Sequence, residues 1–307
     1  GKFIQEVFWR IYWKGWLEHR PAVWNDYASF DNDSAPERLF QQAVTAKTGI
    51  DCFDYWSDEL QNTNYLHNHA RMWFASIWIF TLGLPWQLGA KFFMQHLFDG
   101  DAASNTLGWR WVAGIQTIGK HYVARATNIE QFTNGRFSPT NLNEAPVPVA
   151  SSKTYDILPI DDHANYQKKY NNLIVLENDI YAKSKSDYEA YDAVFVLHPD
   201  SIARSADLAV PVKDFKIRLV SAFCENHKNA QVIDAAALRA IAASQRGLDV
   251  VYPAIGDNFD FLRRLRDESG VLLHFLKRPE DVFCWQFAKK GFFNFKKHIP
   301  DMISFAQ

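Results

Sequence analysis

The hydrophobic period of this 307-residue chain changes once, and that change limits it to two different kinds of packing. Before about residue 150 the apolar positions recur every three or four residues. Beyond it they gather into short β-branched runs separated by helical stretches. The seam between them, "FSPTNLNEAPVPVASSKT" at residues 137–154, is rich in Pro, Ser, Thr and Asn, which is linker chemistry. Tryptophan marks the same division: ten of the eleven lie before residue 112, and only Trp285 lies after it. The expected domains are therefore 1–149 and 150–307, and a chain 48% hydrophobic can bury a core in each.

The first half reads as helical throughout. In "FIQEVFWRIYWKGWLEHRP" Phe3, Val7 and Ile11 recur at helical steps beside Trp9, Trp13 and Trp16, and Pro21 stops the run. "APERLFQQAVTAKTG" predicts a helix with Pro36 near its first turn and Gly49 at its end. "FDYWSDELQNTNYLHNHARMWFASIWIFTLG" predicts two more that meet near Asn64, and "PWQLGAKFFMQHLFDGD" another from Pro85 to Gly100. No stretch before residue 150 alternates with a period of two. The second half predicts strands at "YDILPI", "NLIVLEN", "DAVFVLHP", "LDVVYPAIG" and "VLLHFLKRP". Helices at "VKDFKIRLVSAFCENH", "DAAALRAIAASQRG" and "DNFDFLRRLRDESG" separate the later ones, the signature of a mainly parallel, Rossmann-like α/β sheet. Neither G-x-G-x-x-G nor a P-loop is present.

Net charge is −2, and residues 1–149 hold 12 Lys and Arg against 14 Asp and Glu, so no global basic field is directed at nucleic acid. Cys52, Cys224 and Cys284 are too scattered for a disulfide framework or a metal cluster and suit a reducing cytoplasm. No apolar run is long enough to span a bilayer, and no signal peptide precedes the fold. The opening Gly-Lys-Phe, with helical periodicity from Phe3, reads as a chain cut inside a larger domain.

Several short stretches carry polar chemistry. In "LHNHARM", residues 66–72, His67 shares a helix face with Arg71, and Asn68 with Met72. A zinc pair would need a second His where Arg71 stands, so no metal is expected. In "FDGDAASNTLGWRW" Asp99 and Asp101 stand beside Asn105, Trp109 and Trp111. Asp-x-Asp can hold a divalent ion, cap the following helix, or accept hydrogen bonds from a ligand rich in N–H groups. Glu6 and Arg10 at i, i+4 form an ordinary surface pair next to Trp9.

Together "QEVFWRIYWKGWLEHRP", "TGIDCFDYWSDEL", "LHNHARM" and "PWQLGAKFFMQHLFDGDAASNTLGWRW" resemble, in order and spacing, the FAD-binding helical domain of DNA photolyases and cryptochromes. The likeness covers roughly residues 3 to 135. It implies FAD as cofactor, contacted by Phe3, Arg10, Asn68, Arg71, Asp99, Asp101 and Asn105. Asp99 and Asp101 would hydrogen-bond the isoalloxazine and ribityl parts, Arg71 would pair with Asp99, and Asn105 would face flavin N5. It further implies a lesion pocket of the cyclobutane-dimer type from Glu6, Trp9, Asn68, Met72 and Trp111. Electron transfer would run through Trp86 and Trp109. Ungapped spacing puts Asp33 where a third tryptophan is usual, leaving Trp78 and Trp73 as substitutes, and His69 stands at a usual arginine. The family's Thr-Ser-x-Leu-Ser loop for the FAD phosphates would belong upstream of Phe3.

The implied activity is blue-light-driven splitting of cyclobutane pyrimidine dimers in damaged DNA, by electron transfer from reduced flavin. The alternatives are a cryptochrome-like photoreceptor acting on a protein partner, and a scaffold that has lost FAD. In photolyases the α/β antenna domain precedes the helical one, so here the order is permuted or the second domain has another origin. The resemblance leaves any antenna chromophore unidentified. Near the end, "RPEDVFCWQFAKKGFFNFKKHIP" sets Phe292, Phe293 and Phe295 among lysines, as core and rim or as a partner surface.

Overall fold

The computed structural model describes residues 2–31, 34–160, 166–180 and 185–306. Helices α1 (Lys2–Glu18) and α2 (Pro21–Ala28) open the chain, Pro21 entering α2 at a position where its missing N–H costs nothing. Then come α3 (Glu37–Val44), α4 (Asp51–Thr63), α5 (Asn68–Ser76), α6 (Trp86–His96), α7 (Ala102–Ala113) and α8 (Ala126–Phe132). Asn64 ends α4 in the left-handed region at φ 57°, where Asn is tolerated and a β-branched residue is not. Helix α3 stops at Val44, five residues before the expected Gly49, with Pro36 at its N-cap. A π-helical turn, Ile77–Thr81, prolongs α5. Among the described residues no strand precedes residue 150.

Packing divides the chain into two compact units. One comprises residues 25–154 and 205–212, the other 1–24, 155–204 and 213–307. Helix α1 lies in the second of these units. Its apolar face is the reason: Phe8 and Tyr12, with Trp9 alongside, form one core with Cys284, Ala288, Phe292, Phe295 and Met302. Gly15 allows the close crossing, since a Cβ there would lie 2.7 Å from the Trp285 ring.

The helical unit is held by aromatic packing. Phe53 stacks on Phe74 at 4.3 Å, and Phe74 also meets Phe93 and Trp78 at 5.2 and 5.9 Å. Offset and edge contacts of this kind add to the area that these large rings bury.

The second unit contains β1 (Asn172–Val175), α9 (Lys185–Glu189), β2 (Ala193–Leu197), α10 (Val210–Asn226), β3 (Ala230–Ile233) and α11 (Ala235–Ser244). The first residues of α10 belong to the helical unit. It continues with β4 (Gly247–Val251), α12 (Asp257–Ser269), β5 (Leu272–Leu276), α13 (Pro279–Trp285), α14 (Phe292–Lys296) and α15 (Ile299–Phe305). The sheet is wholly parallel, in the order β3-β2-β1-β4-β5. A parallel sheet needs both faces covered, and two separate apolar clusters do so, one around Leu248 and Phe261 and one around Val196 and Phe223.

Two strand expectations change. "YDILPI" forms no strand: Pro159 lacks a ladder donor, and the Leu158 amide donates instead to the His19 carbonyl at 2.8 Å. The strand missed is β3, a four-residue edge whose residues are exposed or only partly buried, so it needs no hydrophobic run. Among the described residues no helix is long and apolar enough to cross a membrane.

Candidate functional site

The polar residues singled out in "LHNHARM" and "FDGDAASN" meet at two helix corners of the helical unit. Asn64 and Leu66 lie in the α4–α5 corner, and Leu97 to Asp101 form the α6–α7 corner. The Asn64 amide donates to the His96 carbonyl at 2.9 Å, and Phe98 N–H donates to the Asn64 carbonyl at 3.1 Å. Backbone groups that helix ends would leave unpaired are thus used to join the corners.

Arg71, one turn into α5, spans the same gap. Its Nη1 and Nη2 each meet an oxygen of Asp99 at 3.1 Å, while Nε donates to the Leu66 carbonyl at 2.8 Å. The planar guanidinium suits this two-point contact. Asp99 remains half-exposed, at 44% for its side chain, so the pair does not seal it from a ligand. His67 is the N-cap of α5, its Nδ1 accepting from His69 N–H at 3.3 Å. Asn68 follows, exposed, with Met72 half-buried one turn on.

Asp101 is the N-cap of α7: Oδ1 accepts from Ser104 N–H at 2.8 Å. The capping alternative for this Asp-x-Asp pair is therefore realised for Asp101. Asn105, one turn in, donates Nδ2–H to the Ala90 carbonyl of α6 at 2.8 Å. Ser104 Oγ is buried without a hydrogen-bond partner among the described residues. His96 ends α6 with Nδ1 likewise unpartnered, and burial pulls its pKa down to about 4. It is thus neutral near pH 7.

The stretch from Asp99 to Asn105 thus carries two carboxylates, an amide and a buried, unpartnered hydroxyl, and is rich in acceptors. That chemistry fits a ligand with ring N–H and chain O–H groups, which an isoalloxazine with its ribityl chain possesses; Asp99, Asp101 and Asn105 would hold those parts. Among the described residues no group of His, Cys, Asp and Glu is arranged to hold a metal ion.

The tryptophans occupy the interior behind these corners. Trp86 opens α6 and stacks on Tyr27 at 6.0 Å, with the Arg110 guanidinium 5.9 Å from its ring. Trp109 lies across Gly89, where an added Cβ would fall 2.2 Å from the indole. Its nearest indole neighbour is Trp78, edge-on at 6.1 Å, whereas Trp73 stacks on Trp56 at 5.4 Å. Asp33 lies outside the described residues. Trp111 is partly exposed and stacks on Tyr122 at 5.7 Å.

Phe3, Glu6, Trp9 and Arg10 lie on α1, in the other unit. Phe3 is 76% exposed, Glu6 and Arg10 are exposed, and Trp9 lies flat on Phe292 at 3.6 Å, which takes one of its faces. The corner joint through Asn64, the buried Ser104 hydroxyl and the Gly89–Trp109 contact are features that sequence reasoning missed. The sequence marked Asn64 only as the place where two helices meet, and Gly89 as a glycine inside an apolar helix.

Residues 3–140 match the family model described as the FAD binding domain of DNA photolyase. The chain is 30% identical over 128 residues to the deoxyribodipyrimidine photo-lyase of Escherichia coli (strain K12), a match covering 39% of this chain and 26% of that protein. For the protein of the same name from Streptomyces griseus the identity is 34% over 120 residues, covering 38% and 26%. For that of Agrobacterium fabrum it is 36% over 120 residues, covering 37% and 25%. The chain therefore spans about a quarter of the length of these curated relatives. No solved structure matches it.

Proposed function

We propose that the helical unit forms part of an FAD pocket and that the protein is a photolyase-like flavoprotein that splits cyclobutane pyrimidine dimers in DNA under blue light. The observation that carries this reading is the two-point Arg71–Asp99 pair set beside the capping Asp101 and the anchored Asn105. The match of residues 3–140 and the names of the relatives support it.

When bound, FAD would supply the light-driven electron; the protein's part is to bind, orient and exclude water. Arg71 fixes the Asp99 carboxylate, which would accept from a ring N–H. Asp101 holds the first turn of α7, from which Asn105 would contact the cofactor. Phe3, Arg10 and Asn68 complete the cofactor set. Glu6 hydrogen-bonds the extruded thymine edges, Trp9 and Trp111 offer flat walls, and Asn68 and Met72 line the rest of the lesion pocket. Trp86 and Trp109 would be the residues through which electrons reach a bound flavin, with Trp78 edge-on to Trp109 at 6.1 Å. We read residues 1–149 as the family's helical part and 150–307 as an α/β domain in permuted order.

The test is the absorption spectrum of the purified protein with added FAD, followed by illumination with a thymine-dimer oligonucleotide. Stoichiometric flavin and light-dependent loss of dimers are expected. Flavin bound in reduced form without repair would replace the enzyme by a photoreceptor, and failure to bind FAD would remove both.

A further inference from the structure

The aromatic-basic segment at the end of the chain is divided by the fold into a buried and an exposed part. Phe292 and Phe295 enter the core with Phe8, Tyr12 and Trp9, whereas Phe293 between them is 85% exposed. No other aromatic side chain among the described residues is as exposed. Lys289 and Lys290 precede it and Lys296 and Lys297 follow it, all four exposed. Residues 282–300 contain no Asp or Glu, and none of the four lysines is ion-paired among the described residues. The backbone beneath is fixed, since Tyr12 Oη donates to the Lys290 carbonyl at 3.0 Å and Arg20 Nη2 to the Lys289 carbonyl at 2.8 Å. A single flat ring thus stands on a rigid base between two pairs of unneutralised cations.

From this juxtaposition we infer that Phe293 and Lys289, Lys290, Lys296 and Lys297 form a docking surface for single-stranded nucleic acid. The ring stacks on an unpaired base and the lysines contact flanking phosphates. Charge complementarity identifies the partner as a polyanion, and the lone ring selects among polyanions. One side chain on a five-residue helix offers too little apolar area to hold a membrane surface, where a long apolar helix face is needed. It is, by contrast, the unit of base stacking. The surface belongs to the α/β unit and needs neither FAD nor light, so it stands apart from the function proposed above.

The test uses the full chain in the dark with an undamaged, fluorescein-labelled oligodeoxythymidylate, its anisotropy read across a KCl series. Phe293→Ala is expected to weaken binding about 5- to 150-fold, the range of one base–aromatic stack. Replacing all four lysines by Gln is expected to flatten the slope of log K against log salt by about 0.7 for each phosphate no longer neutralised. Phe293→Trp should restore affinity, with its fluorescence quenched on binding, a signal that a merely structural ring would not give. Unchanged affinity and slope in both variants would overturn the inference. So would binding to phosphatidylcholine vesicles containing phosphatidylglycerol but not to the oligonucleotide. Loss of FAD or of repair would leave all of these readings in place.

Discussion

Arg71 grips Asp99 through both guanidinium nitrogens at 3.1 Å and is itself held by the Leu66 carbonyl at 2.8 Å. A lysine keeps the charge but has no fork and cannot reach both partners. Arg71→Lys should therefore lower affinity for FAD about 10- to 150-fold, the scale of a charge-assisted hydrogen bond of about 1.5–3 kcal/mol. The pair is part-exposed, so it should cost the fold no more than about 1 kcal/mol. Flavin titration and thermal unfolding measure the two separately. A fall in stability with no change in flavin affinity would make this residue structural only.

Gly89 is required by Trp109. The added methyl of Gly89→Ala would lie 2.2 Å from the ring, and Trp109 is buried among Phe74, Phe93 and Trp78. Overpacking of this sort costs about 1–3 kcal/mol, although alanine favours an isolated helix. Denaturant unfolding should show a lower midpoint at unchanged slope, and a more stable variant would contradict the packing.

How far the sequence disclosed the fold depended on how local each signal was. Asn64 could be placed as a helix junction, and the parallel sheet predicted, because caps and periods are written in neighbouring residues. The allegiance of α1 could not, since it rests on Gly15 meeting Trp285 and Trp9 meeting Phe292, contacts separated by more than 250 residues. Strand β3 escaped because an exposed edge needs no apolar run, and "YDILPI" misled because the Leu158 amide has a partner outside any sheet. At the site, Asp99, Asp101 and Arg71 were legible as types in a pattern. That Asp101 also caps α7 was one of several readings the pattern left open.

Glu18, at the end of α1, accepts from Tyr252 Oη at 2.6 Å and from Ile255 N–H at 2.9 Å. Burial pushes its pKa up to about 7, against the pull of those bonds and of Lys14 and Lys277. The folded state therefore binds this proton more tightly than the unfolded chain. Its contribution is complete below the unfolded pKa near 4.5 and is lost as pH rises to about 7. Glu18→Gln should abolish that dependence and leave the variant more stable at pH 8 by on the order of 2 kcal/mol. Denaturation at pH 5 and pH 8 tests this; equal differences between variant and parent at both values would refute it.

Asp101 has two roles that a single substitution can separate. As N-cap it accepts the Ser104 N–H at 2.8 Å, and as a carboxylate it gives the site one of its negative charges. Serine caps a helix about as well as aspartate, whereas loss of a capping side chain to alanine costs about 0.5–2 kcal/mol. Asp101→Ser should therefore unfold close to the parent protein, and Asp101→Ala should unfold earlier. Both should lose FAD affinity to a similar degree, because neither offers a carboxylate to the cofactor's N–H and O–H groups. Retained flavin in Asp101→Ser, measured by absorbance after gel filtration, would mean that this residue serves the helix alone and that the cofactor rests on Asp99 and Asn105.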